Sequence, residues 1–272
     1  MINDLGTSPH HQASPTKTSP AEDLAAHLTA EGFSAIPSTY DITTSPAAIL
    51  DLAIEKFGRI DVVVNCVGIH PYSPFTSQDI DVSLKVFETN VIGPMQVIRA
   101  AWPYFTSQSY GRVVNFTSDS LFGMENSAAY VASKGAMLGL TKALAVEGRE
   151  FGVKVNACAP VAYPPMVMSA FEVLPEAQRE WFKGIFTAES NVPMVMALAS
   201  ENCQITGEIL EIGAWGMGRM VLGTTKGVGR LKTMEECLES MVEVMKTGTG
   251  TNTEVFEPKD AVEFLGFKTS YI

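Results

Sequence analysis

The sequence predicts an α/β fold built on a doubly wound parallel sheet. Short runs rich in β-branched residues occur at 60–64, 113–116, 153–157 and 208–212, and segments of helical periodicity separate them. Strands that alternate with helices of about 10–20 residues are typical of βαβ units, whose helices cover both faces of a parallel sheet. The composition agrees, because 46% of the 272 residues are apolar. This content is sufficient for the core of one large domain.

The first two helices begin and end at recognisable residues. Ser19-Pro20-Ala21-Glu22 is a capping-box pattern with proline at the first helical position, and Gly32 follows that helix. Ser45-Pro46 begins a second helix with an apolar stripe, which ends at Gly58. The preceding segment 7–20, TSPHHQASPTKTSP, is rich in Ser, Thr and Pro and predicts a loop.

The texture of the chain changes after Met220. Residues 231–246 predict a more polar helix, 246–254 (KTGTGTNTE) has the composition of a linker, and 258–267 predict a short final helix. We therefore expect a main domain over residues 1–220 and a C-terminal extension over residues 221–272.

Charge and composition argue against several functions. The net charge is −11, so no basic stripe is available for a nucleic acid. No signal peptide and no apolar run long enough for a bilayer is visible, which favours a cytoplasmic protein without membrane contact. The cysteines and histidines have no metal-ligand spacing, so we expect no metal, reduced thiols and histidines in packing or surface roles. They are Cys66, Cys158, Cys203, Cys237, His10, His11, His27 and His70.

Polar side chains follow two of the predicted strands, where ligands of open parallel sheets bind. The first strand ends in Asn65-Cys66-Val67-Gly68, and the second in Thr117-Ser118. Asn90 lies within a helical pattern that Asn and the nearby Gly93 disfavour. Tyr130 and Lys134 are four residues apart and therefore share one face of a helix. An isolated pair of this kind fits an ordinary surface helix, but the neighbouring motifs favour a site.

In this order and spacing the motifs resemble the short-chain dehydrogenase/reductase family over about residues 1–220. The matches are Asn65…Gly68 to the NNAG motif, Asn90 to the catalytic asparagine, Tyr130 and Lys134 to YxxxK, and 156–160 (NACAP) to the nicotinamide segment. Within the family, segments 2–6, 57–65, 144–160 and 201–220 are similar to (3R)-hydroxyacyl-CoA dehydrogenases, with hydroxysteroid dehydrogenases as near relatives. The resemblance implies a Rossmann-like fold and an NAD cofactor.

The resemblance also implies roles for the catalytic residues. Tyr130 is the expected acid–base group. Lys134, together with a cationic nicotinamide, is expected to lower the pKa of the Tyr130 phenol from about 10. Asn90 is expected to anchor a water that links Lys134 to solvent. The serine of the family lies thirteen positions before the tyrosine; here that position is Thr117, with Ser118 next to it, and either hydroxyl fits.

The resemblance also implies which residues contact the cofactor. Asp4 matches the acidic residue that binds the adenosine ribose and favours NAD over NADP, and Asp41 matches the aspartate near adenine. A solvated residue near the terminus and a loop residue before Ser45 are the alternative readings of these two aspartates. Asn65, Gly68, Tyr130, Lys134, Pro160 and Val161 complete the expected cofactor contacts.

One part of the family pattern is missing from the sequence. The first strand and its TGxxxGxG loop are absent, and the chain starts at what resembles the second strand. In the family order, 3-2-1-4-5-6-7, this loss leaves two unpaired central edges. Gly223–Gly229 has GxxxGxG spacing, but the next helix cap, at Thr233 and Glu236, is not adjacent, so we assign the segment to the extension. A real loss of the loop and a truncated start both stay open.

The sequence therefore predicts an NAD-dependent oxidoreductase that interconverts a secondary alcohol and a ketone. An acyl thioester such as a 3-hydroxyacyl-CoA, or a steroid-like molecule, fits the apolar residues at 163–171 and 181–186, which equally fit ordinary packing. The alternative is a weak or silent dehydrogenase-fold subunit that stabilises a partner chain. Small residues along the helix at 127–150 predict a homodimer or tetramer.

Overall fold

A computed structural model describes residues 1–6, 19–163, 175–229, 231–245 and 255–269. The chain divides into two compact units, Met1–Arg219 and Met220–Ile272. Most of the predicted loop at 7–20, most of the apolar segment at 163–171 and the predicted linker at 246–254 lie outside the described residues.

The first unit is a Rossmann-like α/β structure, which confirms the predicted fold class. Its larger sheet has the order β3-β4-β5-β6-β7, and the neighbours from β3 to β6 are parallel. Its strands are β1 (Ile2–Asn3), β2 (Pro37–Ser38), β3 (Val62–Asn65), β4 (Gly111–Phe116), β5 (Val153–Pro160), β6 (Ile209–Gly213) and β7 (Gly216–Met220). Its α-helices are α1 (Pro20–Ala30), α2 (Pro46–Phe57), α3 (Ile80–Phe87), α4 (Gly93–Gln108), α5 (Ala128–Glu147), α6 (Glu176–Ile185) and α7 (Val192–Ala199).

The predicted helix signals act as expected. The Ser19 side chain accepts from the Glu22 amide and the Glu22 carboxylate accepts from the Ser19 amide, so the capping box at the start of α1 is complete. Helix α2 ends at Gly58, whose φ of 74° lies in the left-handed region that glycine adopts without strain.

The core lies between the larger sheet and helices α2, α4 and α5. Phe105 of α4 is fully buried and packs in a cluster with Val113 of β4 and Val155 of β5. Truncation of such a phenylalanine to alanine typically costs about 3–5 kcal/mol. This packing fixes the positions of the strand ends and of α5.

The sheet is interrupted between β1 and β3. Among the described residues, β1 pairs only with β2, in a separate two-stranded sheet, and β3 pairs only with β4. A cavity of about 1030 Å³ is lined by residues of both edges, including Asn3 and Asp4 on one side and Val62–Gly68 on the other. Val64, within β3, is 43% exposed. The described residues thus confirm the expected pair of unpaired central edges.

The second unit contains a short antiparallel pair and two helices. Strand β8 (Thr224–Thr225) pairs with β9 (Val255–Phe256), followed by α9 (Ala261–Thr269), while α8 (Met234–Val244) begins after the predicted Thr233–Glu236 cap. The glycines at 223, 227 and 229 therefore do not stand at the start of a helix. Nowhere in the described parts of either unit is a helix both long and apolar enough to cross a membrane.

Candidate active site

Asn90 lies on an irregular turn between two helices. Residues Glu88–Ile92 form a π-helical turn between α3 and α4, an element that occurs often at functional sites. The Asn90 side chain is 1% exposed; its Oδ1 accepts from the Ile69 amide at 2.8 Å and its Nδ2 donates to the Ile69 carbonyl at 3.0 Å. Nδ2 also donates to Ser133 Oγ at 3.0 Å. Asn90 therefore connects the loop after β3 to α5; the expected water relay stays a prediction.

Tyr130 and Lys134 lie together in the first half of α5. Lys134 is 5% exposed, and its Nζ donates to the Phe116 carbonyl at 2.9 Å. The same Nζ is 5.5 Å from the centre of the Tyr130 ring. The structure thus brings the ammonium and the phenol to the carboxyl end of β4, as the spacing in the sequence predicts.

The two candidate hydroxyls point to different partners. Thr117 Oγ1 is buried and donates to the backbone carbonyl of Lys134 at 2.9 Å. Ser118 lies close enough to the Tyr130 phenol to lower its pKa; its Oγ donates to Asp119 Oδ1 at 3.2 Å and accepts from the Ser120 amide at 3.1 Å. In this structure Ser118, and not Thr117, lies beside the phenol.

Burial is the largest cause of the pKa shifts of both Tyr130 and Lys134. It raises the pKa of Tyr130, while Ser118 lowers that pKa and Asp119 raises it further. The Lys134 ammonium donates to the Phe116 carbonyl, and the lowering expected from Lys134 together with a cationic nicotinamide stays a prediction. Burial lowers the pKa of Lys134 to about 8, against an opposing effect of Cys66. Lys134 is still a cation at neutral pH.

His70 belongs to the site, which the sequence analysis did not recognise. Its ring is 5% exposed and stacks on the Tyr130 ring, with the centroids 4.1 Å apart. Its Nε2 is 2.8 Å from Ser127 Oγ. Burial, followed by the charge of Lys134, lowers the pKa of His70, so the imidazole is neutral. Its position two residues after Gly68 was the one signal in the sequence for a place in the site. Neither its residue type nor its spacing from Tyr130 predicts the contact.

Four of the expected cofactor residues line the cavity between the two sheets: Asp4, Asp41, Asn65 and Gly68. Asp4 is exposed, and Asp41 Oδ1 accepts from the Thr43 amide at 2.7 Å. A Cβ at Gly68 would lie 3.6 Å from both Asn90 Oδ1 and Lys134 Nζ, so this turn runs directly past the catalytic candidates.

Asn65 also has a structural contact, and Pro160 and Val161 lie away from the cavity. Asn65 Nδ2 donates to Asn115 Oδ1 at 3.0 Å, which joins β3 to β4. Pro160 and Val161 are not among the residues that line the cavity. They lie at the end of β5, where the Val161 amide donates to the Ile212 carbonyl at 2.7 Å.

The described lining of the cavity does not suit a pyrophosphate. The N-terminus of α1 reaches the cavity at Pro20, but its capping box uses the free amides and its first turn contains Glu22 and Asp23. An anion is disfavoured beside these carboxylates. The cationic side chains of this described lining are paired. Arg59 binds Asp61 at 2.8 Å. Lys85 Nζ similarly lies 3.5 Å from Glu88 Oε2.

Comparison with known proteins identifies the family. The family model described as short chain dehydrogenase matches residues 9–172, which is more than half of the chain. The chain belongs to the short-chain dehydrogenase/reductase family.

The most similar relatives include multifunctional peroxisomal proteins. The chain is 38% identical to the peroxisomal hydratase-dehydrogenase-epimerase of Neurospora crassa over 63% of its own length and 19% of that protein. It is 33% identical to the peroxisomal multifunctional enzyme type 2 of Mus musculus over 84% of its own length and 30% of that protein. It thus spans less than a third of either relative.

A solved structure shows the same fold. The full-length peroxisomal multifunctional enzyme type 2 of Drosophila melanogaster superposes with a TM-score of 0.74 at 19% identity, over 92% of this chain and 43% of that one. The predicted relationship to the hydroxyacyl-CoA dehydrogenase branch of the family is confirmed at the level of these relatives.

Proposed function

We propose that this chain is an NAD-dependent oxidoreductase that interconverts a secondary alcohol and a ketone. The observation that supports it most directly is the Tyr130 phenol, whose pKa is lowered by the neighbouring Ser118 and which lies one helical turn from the buried Lys134 ammonium. A proton donor, a second hydroxyl and a cation are the groups that carbonyl reduction requires at the substrate oxygen.

Tyr130, Ser118 and Lys134 have different proposed roles at the substrate oxygen. A bound nicotinamide would supply or accept the hydride. Tyr130 donates the proton during reduction, and its raised pKa keeps it in the protonated form that this step needs. Ser118 orients the carbonyl through a hydrogen bond, and the positive charge of Lys134 stabilises the phenolate that proton donation leaves. Thr117 holds the Lys134 backbone in place.

Tyr130→Phe tests this assignment. We expect a loss of turnover of at least about 10²-fold, because a positioned acid–base group typically contributes about 10²–10⁴. Tyr104→Phe, which removes a phenol from the exposed side of α4, is the matched control and should keep the wild-type rate. Equal rates for wild type and Tyr130→Phe would remove Tyr130 from the mechanism.

NAD is proposed over NADP because Asp4 lies in the cavity. The exposed Asp4 carboxylate would accept hydrogen bonds from ribose hydroxyls and repel a 2′-phosphate. Initial rates with NADH and NADPH test the preference. Asp4→Ser should reduce it, and a wild-type preference for NADPH would contradict the proposal.

A hydroxyacyl thioester or a steroid-like molecule is the proposed substrate class. The names of the relatives support it, and so does the aromatic cluster on and after α6. Phe182 and Phe186 stack there with centroids 4.6 Å apart, and Trp181 is 57% exposed. Turnover of a 3-hydroxyacyl-CoA compared with a hydroxysteroid distinguishes the two.

A silent dehydrogenase-fold subunit is the second candidate, favoured by the lack of suitable pyrophosphate partners in the described cavity lining. Its signature is a wild-type protein without turnover that increases the stability or activity of a partner chain on co-expression.

The proposal for the oxidoreductase also includes a homodimer or tetramer and a cytoplasmic location. Fractionation tests the location, since the relatives named above are peroxisomal.

A further inference from the structure

His70 is attached at two points to the helix that contains Tyr130. Its ring lies on the Tyr130 ring with 27° between the planes, and its Nε2 contacts the hydroxyl of Ser127, the residue before α5. The Ser127 hydroxyl donates its one proton to the Glu125 carbonyl at 3.1 Å. It therefore accepts from His70, so the imidazole proton is on Nε2.

The backbone beside His70 is also fixed. Asn90 holds both the amide and the carbonyl of Ile69 and, through Nδ2, Ser133 Oγ. Ser133 Oγ in turn donates to the Tyr130 carbonyl at 2.7 Å. Asn90, Ile69, His70, Tyr130 and Ser133 thus form a closed circuit of contacts, which determines the position of the imidazole relative to the phenol from both sides.

We propose that His70 is a positioning residue for Tyr130. It fixes the plane of the phenol ring so that the hydroxyl meets Ser118, and it excludes water from one face of that ring. The proposal rests on the proposed function of Tyr130. An error of about 1 Å in the placement of a reacting group can reduce a rate by about 10²-fold, so a ring clamp of this kind affects kcat.

The charged and titratable groups around the pair come from three elements. Lys134 lies on α5, Cys66 in the loop after β3 and Asp119 in the turn after β4, and each contributes to the protonation of His70, Lys134 or Tyr130. The loop after β3 also contains Tyr72, whose ring meets the His70 ring edge-on with the centroids 6.4 Å apart. Burial is nevertheless the first cause of the raised pKa of Tyr130. Since the imidazole covers part of the phenol, its removal should admit water and lower the pKa of Tyr130.

Three variants separate the stacking from other effects. His70→Ala removes the ring and the hydrogen bond to Ser127. His70→Phe keeps a planar ring over Tyr130 but removes that hydrogen bond. His27→Ala, which removes an exposed histidine from α1, is the matched control. If His70→Ala does not fold, His70→Leu, which has bulk without a planar ring, replaces it.

Two readouts are measured on the whole protein. The Tyr130 titration is followed by NMR with ¹³Cζ-tyrosine, and its signal is assigned by its loss in Tyr130→Phe. The pH profiles of kcat and KM are measured in parallel. For His70→Ala we expect a titration midpoint of Tyr130 lower by about one pH unit and a kcat reduced about tenfold or more. His70→Phe should keep the wild-type midpoint, and His27→Ala both wild-type values.

The outcomes separate the two proposals. A His70→Ala protein with the wild-type midpoint and kcat overturns the positioning role, and so does a His70→Phe protein that behaves like His70→Ala. A kcat loss without any change of midpoint or pH profile also overturns it, because a purely structural defect produces that result. If the wild type has no turnover, the NMR titration still decides the role of His70, while the proposed function fails.

Discussion

Ser118 lies beside the Tyr130 phenol and lowers its pKa. Ser118 directly precedes the turn after β4, Tyr130 lies in the first turn of α5, and the two hydroxyls are the proposed contacts of the substrate oxygen. The neighbouring Thr117 hydroxyl is used instead on the Lys134 backbone. The two adjacent hydroxyls therefore have different expected effects on activity and on stability.

Ser118→Ala should reduce kcat by about 10²-fold, the typical effect of a lost hydrogen-bond donor to a reacting oxygen. It should also raise the pKa of Tyr130 further, because Ser118 lowers it. Thr117→Val should instead cost about 1–3 kcal/mol of stability, because it leaves the buried Lys134 carbonyl without this donor. Steady-state kinetics and urea unfolding of both variants check this. The reverse pattern, with activity lost mainly in Thr117→Val, would assign the catalytic role to Thr117.

Lys134→Met should change how stability depends on pH. The folded-state pKa of Lys134 is lowered from 10.5 to about 8. Below pH 8 Lys134 is protonated in both the folded and the unfolded chain, so the full cost of burying its charge lowers the free energy of unfolding. Between these pKa values the unfolded chain binds the proton and the folded protein does not, so this group makes stability rise with pH across that window.

The variant lacks this contribution, so its stability advantage over wild type should shrink between pH 8 and 10.5, by about 3 kcal/mol at most. Urea unfolding at both ends of the window measures the difference. Lys142→Met, which removes a partly exposed lysine of the same helix, is the control. An advantage of Lys134→Met that stays constant with pH would contradict the lowered pKa.

The chain should bind NADH weakly. The described cavity lining offers paired cations and an acidic helix start, and the net charge of −11 adds no general attraction. The lack of several charge-assisted hydrogen bonds, each worth about 1.5–3 kcal/mol, weakens binding by several orders of magnitude. Calorimetry with NADH checks this. Micromolar affinity would refute it, and loss of that affinity in Gly227→Asp would then assign a phosphate role to the segment at 223–229.

The protein should form a homodimer or tetramer through α5. Ala132, Gly139, Ala143 and Val146 are exposed along one stripe of this helix, and such small residues permit close helix approach. Ala143→Arg should shift the mass measured by light scattering toward the monomer mass of 29.3 kDa. Leu24→Arg, which adds the same charge to an exposed position of α1, should not. A wild-type protein that is already monomeric at micromolar concentration would disprove the prediction.

Local signals were predictable from the sequence because they act over a few residues. The Ser19–Glu22 capping box and the Gly58 helix end need only their own neighbours, and the poor helical fit of Asn90 marks a real π-helical turn. The expected central gap followed from the order of the motifs and agrees with the separate β1–β2 sheet.

Tertiary contacts were not predictable in the same way. His70 meets Tyr130 across sixty positions of sequence, and no spacing rule connects an imidazole in a loop with a phenol on a helix. The choice between Thr117 and Ser118 depends on a one-residue change in the path of the turn after β4. The direction of the Tyr130 pKa depends on how much water the fold removes, which a motif does not contain.

Within the described residues, β1 and β3 each have one edge without a paired strand, which also affects how the protein behaves in concentrated solution. A strand edge without a partner is a template for intermolecular pairing, and Val64, which is 43% exposed, adds apolar surface to β3. Mutual repulsion between chains of net charge −11 opposes such contacts, but salt screens it. High ionic strength usually stabilises a folded acidic protein by screening the repulsion between its own charges. Here it should instead promote aggregation, because it also screens the repulsion between chains.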